Sequence, residues 1–275
     1  MEYKLTIRGQ QHVISRPEVM GILNCTPDSF YSGSRKQTEK EIASRADEIV
    51  SQGAAMIDIG GMSTRPGGTD VTEEEEMRRL RFALSIVRRE QPDAIVSVDT
   101  FRPDVAKMAV EEFGADIIND VGEAEEFLQA DLGWMRGIPY VLMSVQPTLE
   151  KTLDVFRKKT AAMQEKGIGD IILDPGYGFG KDIADNYRIL SGQEKILEFG
   201  KPVLVGVSRK RMIWQLLGTS PREALNGTSV VNTLAVERGA AILRVHDVRE
   251  AVECIRICRE MTGRKPYGGT ACPLP

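Results

Sequence analysis

The stretch IVSVDTFRPDVAKMAVEEFGADIIND, residues 95–120, contains one complete repeating unit of the chain. Its apolar, β-branched start, Ile95 to Val98, reads as a strand. Asp104 to Phe113 reads as a helix stopped by Gly114, and Ile117 to Ile118 begins the next strand. Strand, helix and strand in that order are the sign of a parallel sheet built from βα units.

Outward from this unit the same alternation recurs. The strand candidates are Val19 to Leu23, Met56 to Ile59, Ile95 to Val98, Ile117 to Ile118, Tyr140 to Met143, Ile171 to Leu173, Val203 to Val207 and Ile242 to Val245. Between and after them lie helical stretches: Glu39 to Gln52, Glu73 to Arg89, Asp104 to Phe113, Glu123 to Met135, Leu149 to Lys166, Asp185 to Phe199, a long Lys210 to Arg238 region, and Val248 to Thr262. Thr72 with Glu75 forms a capping box, and Gly53, Gly114, Gly167, Gly200 and Gly239 stand where helices should stop. Eight units predict an α/β fold, a (β/α)8 TIM barrel. A doubly wound open sheet is the alternative, because a strand count does not establish closure. Lys4 to Ile7 and His12 to Ile14 flank Arg8-Gly9-Gln10-Gln11 and predict an N-terminal β-hairpin capping the bottom of the barrel. No linker divides residues 1–275, so one domain is expected, with a barrel core over 15–262 and a Gly- and Pro-rich tail over 263–275.

Composition narrows the functional classes. Of 275 residues, 41% are hydrophobic and 28% charged, with a formal net charge of −4, and there is no basic block to meet a nucleic acid. No apolar run reaches the ~18 residues of a membrane span, and Met1 to Gln10 lacks a signal-peptide core, so a cytoplasmic protein is expected. Cys25, Cys254, Cys258 and Cys272 have neither metal-site spacing nor nearby histidines and read as free thiols.

In such barrels the active site lies at the C-terminal ends of the strands. The residues there are Asn24; Gly60-Gly61 leading to Ser63-Thr64-Arg65; Asp99-Thr100; Asn119-Asp120; Ser144; Asp174-Pro175; Ser208-Arg209-Lys210; and Arg244 with His246. Each alone has an ordinary explanation as a cap, a turn or a surface charge. Together, acids, amides and bases gathered at one rim point to a ligand site. Asp99, Asn119 and Asp174 offer acceptors suited to a planar heterocycle bearing several N–H donors. Arg65, Lys210 and Arg244, helped by Thr64, Ser208 and His246, suit a phosphate or diphosphate. Gly176 to Gly180 alternate Gly-x-Gly-x-Gly but lack dinucleotide-binding spacing, and no Walker-type ending occurs.

Seven segments carry a resemblance. They are Gly21-Ile-Leu-Asn-Cys-Thr-Pro-Asp-Ser-Phe30, Asp58-Ile-Gly-Gly-Met-Ser-Thr-Arg-Pro66, Ser97-Val-Asp-Thr100, Ile117-Ile-Asn-Asp120, Ile172-Leu-Asp-Pro-Gly176 with Gly178-Phe-Gly-Lys181, Val205-Gly-Val-Ser-Arg-Lys-Arg211 and Arg244-Val-His-Asp-Val248. In this order, from about Met20 to Val248, they closely resemble the dihydropteroate synthase family. The resemblance implies a barrel, usually homodimeric, in folate biosynthesis. It implies condensation of para-aminobenzoate with hydroxymethyl-dihydropterin diphosphate, with release of pyrophosphate, and sensitivity to sulfonamides. It places the pterin against Asp99, Asn119, Asp174 and Lys210, with Met143, Phe179 and Gly206 lining the slot. The diphosphate falls to Asn24, Thr64, Arg65, Arg244 and His246, with Asn24 also holding Mg²⁺. The aminobenzoate falls among Phe30, Pro66, Ser208 and Arg209. Asp28 is cast as the group that steadies the pterin cation or takes the amine proton, beside Asp174 and Lys210 as catalytic residues.

Departures from the family pattern are Ser144 where a His is frequent, Cys25, Met62, and Val121-Gly-Glu-Ala-Glu after Asn119. The last raises the shape of the pterin slot as a question. Three other readings stay open: a corrinoid-linked pterin methyltransferase, which would not need an anion site; a barrel aldolase using Lys210 as a Schiff base; and a pterin-binding paralogue without turnover.

Overall fold

The computed structural model describes residues 2–25, 35–62 and 71–261. Asp28, Phe30, Thr64, Arg65, Pro66 and the tail lie outside the described residues. The chain opens with β1 (Tyr3–Ile7) and β2 (Gln10–Ile14), an antiparallel hairpin turning at Arg8-Gly9. Then follow β3 (Glu18–Asn24), α1 (Arg35–Ser51), β4 (Met56–Gly60), α2 (Glu73–Glu90), β5 (Ile95–Asp99), α3 (Pro103–Phe113), β6 (Ile117–Asp120), β7 (Tyr140–Met143), α4 (Leu149–Glu165), β8 (Ile171–Asp174), α5 (Ile183–Ser191), β9 (Leu204–Val205), α6 (Arg211–Trp214), α7 (Leu225–Glu237), β10 (Ile242–Val245) and α8 (Val248–Met261). Strands β3 to β10 form one parallel sheet in the order β8-β7-β6-β5-β4-β3-β10-β9. A parallel bridge from Leu173 to Val203 joins the two ends, so the sheet is a barrel and not an open doubly wound sheet.

Strand alternation sorts the side chains. Outward residues such as Val19, Ile57, Val98, Leu142 and Leu173 pack beneath the helices. Inward residues Met20, Met56, Ile117, Val141, Ile172, Leu204 and Ile242 form a separate apolar floor with Tyr3, Leu5, Ile7 and Ile14 of the hairpin. The hairpin thus caps the bottom, as the sequence predicts. The Asp116 carboxylate fastens it: Oδ1 accepts from Arg8 Nε at 2.8 Å, and Oδ2 accepts from Arg88 Nη2 and from Val96 N, both at 2.9 Å. Thr6 N also donates to Asp170 at 2.6 Å.

Three helical expectations need correction. Glu123 to Met135 is not an α-helix but two 3-10 turns, Phe127–Gln129 and Gly133–Met135. Asp120 takes the N–H groups of Gly122 and Ala124, and Glu123 and Ala124 adopt left-handed φ of 58° and 59°. Asp131 then forms an Asx turn with Gly133 N at 3.0 Å, which diverts the chain again. The Lys210 to Arg238 region is broken after α6 by Gly218 (φ 63°) and by Ser220-Pro221, where Ser220 and Glu223 make a capping box. Asp185 to Phe199 splits at Gly192 into α5 and a 3-10 run, Gln193–Phe199. Of the expected capping box the Thr72 half forms, its hydroxyl accepting from Glu75 N at 3.3 Å, while the Glu75 carboxylate accepts from Arg78 and Arg79. Cys25, Cys254 and Cys258 are buried and unbridged. Among the described residues no helix is long and apolar enough to cross a membrane.

Candidate active site

The floor predicts the site by counting. Two residues beyond six of the seven strand floor positions, hence also pointing inward, stand Asp58 after Met56, Asn119 after Ile117, Met143 after Val141, Asp174 after Ile172, Gly206 after Leu204 and Arg244 after Ile242; after Met20 stands Ile22. Asp99 occupies the same parity at the end of β5. The barrel interior therefore changes from an apolar layer to a charged one within two residues.

The charged layer is tightly connected. Arg244 Nε donates to Asp58 Oδ2 at 2.6 Å and its Nη2 to Asp99 Oδ2 at 2.5 Å. Asn119 Nδ2 donates to the same Asp58 oxygen at 3.2 Å. On the other side, Asp174 Oδ1 accepts from Gly176 N at 2.7 Å, which fixes the turn after β8. That turn needs glycine: Gly176 has φ 65°, and a Cβ there would stand 2.1 Å from the Ser144 carbonyl oxygen. Lys181 stitches the turn to the neighbouring loop by donating to the carbonyls of Ser144, Gly176 and Phe179 at 2.9–3.0 Å. Lys210 donates to the Tyr177 carbonyl and holds its ammonium 4.6 Å above the Phe179 ring. Gly206 lies between the two cations, a Cβ there standing at an ordinary contact distance of 3.9 Å from both Lys210 Nζ and the Arg244 stem.

Electrostatics follow from burial. Burial pushes Asp99 up to about 7, with Arg244 pulling it down and Asp58 and Glu76 adding to the rise. Asp174 is raised by burial against the opposing pull of Lys210. Lys210 falls to about 8, driven by burial, with Asp174 holding it up and Arg244 pushing it further down. Burial opposes the Arg244 charge, but Asp58 and Asp99 outweigh it and its guanidinium stays firmly protonated. Three buried oxygens, Oδ1 of Asp58, of Asp99 and of Asn119, have no partner among the described residues. Buried atoms of Glu76, Ser97, Thr160 and Asn232 are likewise unpartnered among the described residues, so it is the gathering of three acceptors in one layer that points to a ligand bearing donors.

The structure thus brings together Asp99, Asn119, Met143, Asp174, Phe179, Gly206, Lys210 and Arg244 of the predicted residues. Asn24 ends β3 at the exposed rim and shares a cavity of about 370 Å³ with His246 and Arg45. Ser208 is buried, and its Oγ accepts from His246 N at 3.1 Å and lies 3.0 Å from His246 Nδ1. Arg209 is directed elsewhere: it pairs with Asp247 through two bonds of 2.8 Å and donates to the carbonyls of Pro221 and Arg222. Asp58, the partner of Arg244, and Lys181 are absent from the predicted set. Strand parity would have found Asp58, since a carboxylate two residues past a floor methionine must face inward. Among the described residues no three of His, Cys, Asp and Glu gather to hold a metal. The exposed Asn24 amide, in one cavity with His246, offers a single neutral oxygen, a donor that fits an ion such as Mg²⁺ that keeps most of its waters.

Residues 20–246 match the family described as pterin binding enzyme. Dihydropteroate synthase of Escherichia coli K12 is 37% identical over 270 residues, spanning 92% of this chain and 95% of that protein. Its counterpart in Bacillus subtilis 168 is 36% identical over 255 residues, 90% of this chain and 89% of that one. The solved structure of Xanthomonas albilineans dihydropteroate synthase with 4-aminobenzoic acid superposes with a TM-score of 0.86 at 35% identity, covering 97% of this chain and 100% of the other. The same enzyme in complex with 7,8-dihydropteroate gives 0.84 at 34% identity, covering 96% and 100%. With the motifs, the closed barrel and the inward acid and amide layer in agreement, the chain belongs to the dihydropteroate synthase family of pterin-binding enzymes.

Proposed function

We propose that this protein condenses para-aminobenzoate with 6-hydroxymethyl-7,8-dihydropterin diphosphate to give 7,8-dihydropteroate and pyrophosphate, in the cytoplasm. The observation that carries the proposal is the layer of buried, unpartnered acceptors on Asp99 and Asn119, opposite Asp174, with Lys210 and Arg244 in the same wall. An aminopyrimidine edge supplies the donors these oxygens lack. Phe179, Met143 and Gly206 line the ring slot, and Lys210 meets the ring's acceptor side.

Arg244 and His246, with Asn24, Thr64 and Arg65, take the diphosphate. Bound Mg²⁺ at Asn24 would neutralise charge on the leaving diphosphate. The methylene C–O bond breaks with its electron pair going to pyrophosphate, and Asp174 and Asn119 hold the ring whose electrons fill the gap. The aromatic amine attacks the resulting pterin cation, and Asp28 receives the amine proton. Phe30, Pro66 and Ser208 border the aminobenzoate. Arg209, being locked to Asp247, shapes the Ser208–Lys210 turn that presents both neighbours.

A homodimer fits the exposed apolar face of two adjacent helices. Val230 and Leu234 on α7 are 53% and 39% exposed, and Ile257 and Met261 on α8 are 62% and 69% exposed. Each pair is spaced i,i+4 and so shares a helix face.

The test is pyrophosphate release by purified protein given the dihydropterin diphosphate, Mg²⁺ and para-aminobenzoate. Release that needs all three, yields dihydropteroate and collapses in Asp174→Asn and Lys210→Ala is expected. Tight pterin binding without turnover would replace the proposal with a paralogue that only binds.

A further inference from the structure

Asp58 is fully buried inside β4, paired in register with Ser97, and it touches both halves of the site. One oxygen, Oδ2, accepts from Arg244 Nε at 2.6 Å and from Asn119 Nδ2 at 3.2 Å. A carboxylate only accepts, so it determines which end of the Asn119 amide faces it. With Nδ2 committed to Asp58, Oδ1 is the end left unpartnered. Arg244 is held by Asp58 through Nε and by Asp99 through Nη2, so these two carboxylates compete for one guanidinium.

We propose that Asp58 is a positioning residue that couples the two ends of the substrate site: it sets the Asn119 amide as a ring acceptor and anchors Arg244 by Nε so that its Nη groups can turn from Asp99 to the substrate's anion. The inference rests on the reaction proposed above. Its consequence is cooperative order. While the anion is absent, Nη2 of Arg244 covers one oxygen of Asp99; when an anion draws Nη2 away, that oxygen joins the unpartnered Oδ1 as a ring acceptor. Without the Asp58 charge, Arg244 is left to Asp99 alone and keeps it covered. The Asn119 amide also loses the partner that orients it, and a flipped amide would present Nδ2 to ring N–H donors.

The test compares the intact protein with Asp58→Asn, and with Asp58→Ala in the presence and absence of formate, which can refill the vacated carboxylate position. Calorimetry measures binding of 6-hydroxymethylpterin and of inorganic pyrophosphate with Mg²⁺, singly and together. Steady-state kinetics measures KM for each substrate. In the unaltered protein each ligand should enhance binding of the other; in Asp58→Asn both ligands should bind at least tenfold more weakly and that enhancement should vanish. KM for para-aminobenzoate should stay within twofold, a split that general loosening of the barrel would not produce. Formate should restore at least threefold of the affinity lost in Asp58→Ala, which keeps the test alive if Asp58→Asn folds poorly. Ligand affinities within twofold of the unaltered protein in a folded variant, or no enhancement between pterin and pyrophosphate in the unaltered protein, would overturn the inference while leaving the synthase reaction standing. An unaltered protein that makes no dihydropteroate and binds no pterin would bring down both.

Discussion

On the proposed binding mode, the burial of Lys210 and Asp99 should confine substrate capture to a narrow pH window. kcat/KM reports ionisations of the free enzyme, in which burial pushes Asp99 up to about 7 and Lys210 down to about 8. In that binding mode Asp99 must be an anion to accept from the ring and Lys210 a cation to donate, since the neutral amine loses a donor and its attraction to the Phe179 face. With these two values each group is about three-quarters in its active form at pH ~7.5, and about one-eleventh at pH ~6 for Asp99 or pH ~9 for Lys210. kcat/KM for the dihydropterin diphosphate should therefore peak near pH ~7.5 and fall about sixfold by pH ~6 and by pH ~9. The substrate's own phosphate titrates near pH ~6, so the variants decide the assignment. Lys210→Arg carries a permanent charge and should lose the alkaline limb at a reduced plateau, while Asp99→Asn should lose the enzyme's part of the acid limb. A profile in Lys210→Arg that still falls between pH ~8 and ~9 would show that Lys210 is not the group being titrated, and the placement of Lys210 against the ring would fall with it.

Gly176→Ala combines a left-handed φ with a Cβ 2.1 Å from a carbonyl that Lys181 holds in place; it should cost at least ~2 kcal/mol in urea unfolding and lower turnover by moving Asp174. Asp116→Ala removes the carboxylate shared by the largely solvated Arg8, by Arg88 and by the Val96 N–H, and should cost about 1–2 kcal/mol. Burial pushes Asp116 up, but Arg8, the Val96 N–H and Arg88 together bring it below its ordinary value. Its contribution is therefore complete above the unfolded value of about 4 and is lost as pH falls through the lower folded value, so the stability gap between Asp116→Ala and the unaltered protein should be constant from pH ~5 to ~8 and narrow towards pH ~3. Val230→Asp with Ile257→Asp should shift sedimentation from dimer to monomer without unfolding the barrel, because both side chains are more than half exposed.

The strands were legible as apolar, β-branched runs alternating with helix-patterned stretches, and the candidate site as the polar residues at their ends. A floor of Met20, Met56, Ile117, Val141, Ile172, Leu204 and Ile242 recurs in seven of the eight units, and in six of them a residue of the candidate site stands two positions later; after Met20 that place is the apolar Ile22. Asp58 escaped because attention to the residue following each strand looks past a carboxylate inside one. The segment from Glu123 to Met135 misled for a different reason. Its composition permits a helix, but the Asp120 carboxylate captures the first N–H groups and Asp131 captures another, so local side-chain bonds outcompete the helical ladder. Arg209 shows a third limit: sequence places it beside Ser208 and Lys210, whereas a left-handed φ of 52° and the pair with Asp247, thirty-eight residues on, turn its guanidinium away.

The departures at Ser144 and after Asn119 are connected to one another. Glu123, on the unusual segment, is buried and accepts from Ser144 Oγ at 3.2 Å, from Val145 N at 3.3 Å and from Gln146 Nε2 at 3.1 Å. Lys159 donates to its carbonyl. The loop after β6 is thereby bound to the loop after β7, and Lys181 binds that loop in turn to Gly176 and Phe179 after β8. A larger ring at position 144 would have to displace a carboxylate that already holds three neighbours. Ser144 and Glu123 therefore form one local solution, in which a small hydroxyl and a buried acid support the wall of the slot from behind. The oxygens proposed to meet the pterin, on Asp99, Asn119 and Asp174, belong to strand ends set by the barrel, so a change in the supporting loops can leave the recognition chemistry intact.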